Sequence, residues 1–139
     1  MYSRYASAVQ LTLDLDSEVP IYLQLRDQVV EAIADGELAE GSPLPSTRQL
    51  AADLGINFHT VNKAYDLLRQ QSVIRINRKS GAVVRRDAGS GPPEPGFVED
   101  WEQRLRTLLA EAVVHGVAPA GVRERCDGVL ASFRAGDRV

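Results

Sequence analysis

With 139 residues, the chain has room for one ordinary domain or for a small domain with an appendage. Its apolar fraction of 44% and net charge of −3 predict a soluble globular protein and exclude a disordered one, and no apolar run reaches membrane-spanning length. The lone cysteine, Cys126, excludes an intramolecular disulfide; with no signal-peptide core at the N-terminus, it predicts a cytoplasmic protein without membrane attachment.

Residues 1–8 read as a loose terminus. From Val9 to Leu15 apolar and polar residues alternate, which predicts a short strand able to pair with a later hairpin into a three-stranded sheet. Pro20 suits the first turn of a helix whose buried stripe is Ile21, Leu25, Val29, Ala32 and Ile33, with Gly36 ending it. Residues 36–45 then form a rigid connection with two prolines, and Leu38 and Leu44 plug the core.

Two helices follow at helix-turn-helix spacing. Ser46 caps the first, whose Leu50, Ala51 and Leu54 point one way, and Gly55 supplies a left-handed stop. Asn57 caps the second, which buries Val61, Ala64, Tyr65 and Leu68 and turns His59, Asn62, Lys63, Asp66 and Gln70 outward. His59, Asn62 and Lys63 thus gather at the N-terminal end, the end with which recognition helices touch base edges. Asp66 lies further along, within reach of Lys63 or Arg69. Residues 73–76 and 82–85 are predicted strands of a hairpin with Gly81 at its turn.

Charge supports the same reading. Residues 11–40 carry eight acidic side chains against Arg26 alone, whereas from Leu67 to Arg86 there are Arg69, Arg75, Arg78, Lys79, Arg85, Arg86 and no acid. A segregated basic patch of this kind is what phosphate neutralisation needs.

The run from Leu44 to Arg48 (Leu-Pro-Ser-Thr-Arg) and the spacing of Asn57, Thr60, Val61, Lys63, Ala64 and Tyr65 resemble the DNA-binding domain of the GntR-type bacterial transcription regulators. With the Pro-Ile-Tyr-Leu-Gln-Leu lead-in at residues 20–25, the resemblance covers roughly residues 10–86; the second pattern and the short tail are similar to the YtrA-like branch. The resemblance implies double-stranded DNA as the partner and a bacterial setting in which YtrA-like members tend to control transporter operons. The chain departs from the family pattern at Ser72 and Lys79, where glycine is common, and at Phe58, near which an arginine is common, so no operator sequence carries over. The expected DNA-facing set is Ser46, Thr47, Arg48, Asn57, His59, Thr60, Asn62 and Lys63 on the helices, and Arg78, Lys79, Ser80 and Gly81 on the wing.

Residues 87–96 are a linker by composition, semi-rigid through its prolines and hinged by its glycines. Beyond it, Trp101, Leu105, Leu108, Leu109 and Ala112 share offsets with Val122, Cys126, Val129, Leu130 and Phe133, and the break at residues 115–119 makes an antiparallel helical hairpin. Cys126, inside that stripe, reads as core. So short a hairpin buries little alone. Its stripes therefore call for a second copy, with Trp101, Leu105, Leu108, Leu109, Val122, Val129, Leu130 and Phe133 at the dimer interface.

Neither His59 nor His115 has metal-ligand spacing, and no nucleophile or phosphate-binding loop is visible, which predicts no metal, no cofactor and no enzymatic activity. An effector, if one exists, needs more enclosed volume than two short helices of one chain offer; a dimer interface is the place left for it. The expected architecture is an α+β winged helix-turn-helix domain at residues 9–86, a linker at 87–96 and a small all-α helical hairpin at 97–136. The expected function is a homodimeric regulator, a repressor, of an inverted-repeat operator. The alternative is a winged-helix module that docks proteins without specific DNA binding; the basic wing and polar helix face argue against it.

Overall fold

A computed structural model describes residues 2–5, 10–78 and 81–134 of the chain. In order these form β1 (Tyr2–Tyr5), β2 (Gln10–Leu13), α1 (Ile21–Ala34), α2 (Thr47–Leu54), α3 (Phe58–Gln70), β3 (Ile74–Asn77), β4 (Gly81–Val84), α4 (Phe97–Val114) and α5 (Pro119–Ser132).

The core lies where α1, α2 and α3 meet. Leu25, Val29, Ala32 and Ile33 of α1 pack with Leu50, Ala51 and Leu54 of α2 and with Val61, Ala64, Tyr65 and Leu68 of α3. Leu38 and Leu44 close the cluster from the connection, and Ile74, Ala82 and Val84 close it from the hairpin β3–β4. Ile21, expected in the buried stripe, is only half-buried at the end of α1.

Two expectations about the strands need correcting. Residues 2–5 are not loose: they pair antiparallel with β2, Tyr2 opposite Leu13 and Tyr5 opposite Gln10. Nor does β2 join the wing, because its other edge is already occupied. Gln28 of α1 accepts from the Thr12 amide at 2.8 Å and donates to the Thr12 carbonyl at 2.6 Å. One turn earlier, Gln24 does the same for Asp14, at 2.9 and 3.0 Å. Two glutamines four residues apart thus stand in for a strand and satisfy the backbone groups that a wing strand would have needed. Leu11 and Leu13, each 1% exposed, are held into the core by this arrangement.

The wing finds its third strand elsewhere. β3 and β4 pair with Ile74 opposite Val84 and Asn77 opposite Gly81. Along the free side of β4 run residues 41–44: the Leu44 amide donates to the Ala82 carbonyl at 2.8 Å, and the Val84 amide donates to the Ser42 carbonyl at 2.9 Å. The proline-containing connection therefore serves as an edge, where a residue lacking an N–H is tolerated.

Helices α4 and α5 form the expected hairpin, joined by residues 115–118, with Pro119 opening α5 and Glu99 and Asp100 in the first turn of α4. They contact each other sparingly, and no side chain of either is buried. Leu105, Leu109, Ala112, Val122 and Phe133 are half-covered. Cys126 is exposed, which corrects its reading as core: among the described residues of one chain the middle of that α5 stripe stays open to solvent.

Candidate nucleic-acid interface

The helix-turn-helix is set by local chemistry at three points. The Ser46 hydroxyl accepts from the Gln49 amide at 3.0 Å and starts α2. Gly55, at φ 67°, ends it in a conformation that a side chain would disfavour. The Asn57 carboxamide accepts from the His59 amide at 2.8 Å and starts α3. A third bond fixes the pair: the buried Tyr65 hydroxyl donates to the Pro45 carbonyl at 2.7 Å, tying α3 to the lead-in of α2. Burial pushes the Tyr65 phenol well above its ordinary pKa.

This framework turns one polar surface outward. His59 and Lys63 are exposed, Thr60 and Asn62 half-exposed, and Arg48 and Thr47 stand beside them at the start of α2. Ser46 and Asn57, expected in the DNA-facing set, commit their side-chain oxygens to the helix caps. The Lys63 ammonium lies 4.1 Å from the centroid of the Tyr22 ring on α1. The Arg48 guanidinium carbon lies 5.0 Å from the centroid of Phe58, whose ring is also 4.1 Å from that of His59. Neither Tyr22 nor Phe58 belongs to the DNA-facing set expected from the sequence. Phe58 beside the polar His59, just behind a cap residue, was the available signal.

The basic stretch divides in two. Arg69 pairs with Asp66 at 3.8 Å, Arg85 pairs with Glu94 at 2.6 Å, and Arg86 donates to the Gly91 and Pro92 carbonyls at 2.7 and 3.3 Å. Arg75 and Arg78 are exposed and have no ion pair among the described residues. Lys79 and Ser80, expected at the wing tip, lie outside the described residues, and Gly81 next to them has φ 72°. Among the described residues between Ile21 and Val84, the exposed cations without a carboxylate partner are thus Arg48, Lys63, Arg75 and Arg78.

Among the described residues no three His, Cys, Asp or Glu side chains cluster to hold a metal ion, and no helix is long and apolar enough to cross a membrane.

Comparison with known proteins agrees with this geometry. The family model "Bacterial regulatory proteins, gntR family" matches residues 21–84. The chain is 31% identical over 115 residues to the transcriptional regulator YhcF of Bacillus subtilis, covering 81% of this chain and 89% of that one. It is 29% identical over 128 residues to the transcriptional repressor YtrA of the same organism, covering 92% and 98% respectively. Among solved structures, the GntR-family transcription factor YtrA of Sulfolobus acidocaldarius superposes with a TM-score of 0.60 at 38% identity, over 75% of this chain and 97% of that one. A Listeria monocytogenes protein described as a transcriptional antiterminator reaches a TM-score of 0.79 at 27% identity, over 88% and 91%. The chain belongs to the GntR family of transcription regulators, in its YtrA-like branch, and carries that family's DNA-binding winged helix-turn-helix.

Proposed function

We propose that the protein is a cytoplasmic repressor that binds an inverted-repeat operator as a homodimer. In this reading Thr47, Arg48, His59, Thr60, Asn62 and Lys63 face the major groove and its flanking phosphates. The wing, with Arg78, Lys79, Ser80 and Gly81, reaches the adjacent backbone or minor groove. One observation carries the dimer: Trp101, Leu108 and Leu130 are 44%, 62% and 68% exposed on helices that bury no side chain of their own. Such apolar surface is the mark of an interaction site. Pairing two hairpins about a two-fold axis buries it in a four-helix arrangement and links two weak half-site binders into one tight one. Repression is supported by the name of the Bacillus subtilis relative that the chain matches almost end to end.

The test is selection from a pool of random duplexes, followed by sedimentation of the protein with and without the selected DNA. Enrichment of a palindrome with half-sites about one helical turn apart, ~34 Å, bound by two chains is the expected result. A Leu109→Asp/Leu130→Asp variant should sediment as a monomer and bind that duplex far more weakly. A variant that stays dimeric would remove α4 and α5 as the dimerisation device, and a pool without any enriched sequence would favour the protein-docking module.

A further inference from the structure

Phe58 is the first residue of α3, directly behind the cap residue Asn57. Its ring is half-buried and packs against the hydrophobic core, so its position is set from within the domain. Two exposed polar side chains meet the same ring. The Arg48 guanidinium carbon is 5.0 Å from its centroid, inside the range of a cation–π contact. The His59 imidazole is 4.1 Å away, with the two planes inclined by 33°. Arg48 has no hydrogen bond or ion pair from its side chain among the described residues, so this ring is its anchor.

A guanidinium held at a ring keeps its in-plane N–H groups free, and those N–H groups form the planar fork that matches the O6 and N7 acceptors of guanine. An unanchored arginine would lose most of its rotamer freedom on making that contact. A cation–π contact at an exposed site biases the side chain toward one placement by about two- to fivefold before DNA arrives. Phe58 itself offers no donor. Its contribution to readout is therefore indirect.

We propose that Phe58 is a positioning residue for base recognition: its ring presets Arg48, and with it His59, so that Arg48 reads a guanine in each half-site. This rests on the chain binding a specific operator, and the experiment separates the two claims.

The wild type and the variants Phe58→Leu, Phe58→Tyr and Arg48→Ala are each used to select from a random duplex pool, and the wild-type consensus is then substituted one base pair at a time. The expected result is a guanine whose replacement costs the wild type about tenfold in affinity, as for a good bidentate contact. Arg48→Ala should abolish that preference. Phe58→Leu, which keeps an apolar side chain against the core, should reduce it to below about threefold while leaving preferences at base pairs outside the contact intact. Phe58→Tyr, with a ring retained, should restore it. A uniform loss of affinity in Phe58→Leu with the guanine preference unchanged would overturn the proposal and make Phe58 a packing residue only. A consensus indifferent to Arg48→Ala would overturn it as well. Failure of the wild type to enrich any sequence would instead overturn the operator reading, and this one with it.

Discussion

Replacing Tyr65 with phenylalanine removes one oxygen from the centre of the helix-turn-helix and leaves the ring in place. Tyr65 is 3% exposed, and its hydroxyl donates at 2.7 Å to the carbonyl of Pro45, which itself is only half-buried. With the ring kept, no cavity opens, so the cost is that of the hydrogen bond. A net intramolecular bond contributes about 0.5–1.5 kcal/mol, and stranding a fully buried partner costs about 1–3. Water can reach the Pro45 carbonyl, which puts the expected loss near 1 kcal/mol. Urea unfolding at one fixed protein concentration measures it, since any dimer makes the midpoint concentration-dependent. The same residue has a pH signature. Burial raises the Tyr65 pKa in the folded chain above the ordinary value near 10, so the unfolded chain releases its proton first. The stabilisation is complete below about pH 10 and is lost as pH rises beyond it, a loss that Tyr65→Phe escapes. The gap between wild type and variant should therefore narrow above pH 10. Equal midpoints at pH 7, or a gap that holds constant to pH 11, would refute the reasoning.

Ser72 follows α3 at φ 61°, a left-handed conformation that costs a residue with a Cβ. Ser72→Gly should raise stability by roughly 0.5–1 kcal/mol in the same urea assay. The Glu40 and Gly89 amides, donating to the Asp87 carboxylate, hold it below the usual carboxylate range. That contact should persist above about pH 4 and be lost as pH falls through the depressed pKa, a transition visible in the NMR shift of the Glu40 amide and absent in Asp87→Asn. Arg78→Ala should flatten the salt dependence of DNA binding by about one unit, whereas Arg85→Ala, which removes a partner of Glu94, should leave the slope unchanged.

What the sequence made legible was local. The caps at Ser46 and Asn57, the stop at Gly55 and the buried faces of α1, α2 and α3 depend on residues close to one another in sequence, and all but Ile21 came out as read. The partner of β2 did not, because it is decided by Gln24 and Gln28, side chains 10 and 16 residues away whose helical spacing reads as ordinary surface polarity. The third wing strand was missed for a related reason: two prolines mark residues 36–45 as a rigid connection, yet the Leu44 amide and the Ser42 carbonyl remain available to an edge. Charge counting overstated the wing. Six basic residues between Leu67 and Arg86 look alike in sequence, and only their partners distinguish Arg75 and Arg78 from Arg69, Arg85 and Arg86.

Those partners change what the linker is. Its composition suggested a segment semi-rigid at its prolines and hinged at its glycines, and the chain leaving β4 is held at several points. Arg86 binds the Gly91 and Pro92 carbonyls, Asp87 binds the Glu40 amide and the Ser90 hydroxyl, and Arg85 reaches Glu94. The exposed ion pair adds little by itself. Backbone-directed bonds fix the path more firmly, since each names one carbonyl or one amide. Glu94 then hands over to α4 directly, its carbonyl accepting from the Phe97 amide at 3.1 Å. The direction in which α4 departs is thus set by residues 85–94 acting together with Glu40. In a dimer built on α4 and α5, the separation of the two recognition helices would follow from that short stretch rather than from a flexible tether, and an operator with a half-turn insertion between its half-sites should be rejected.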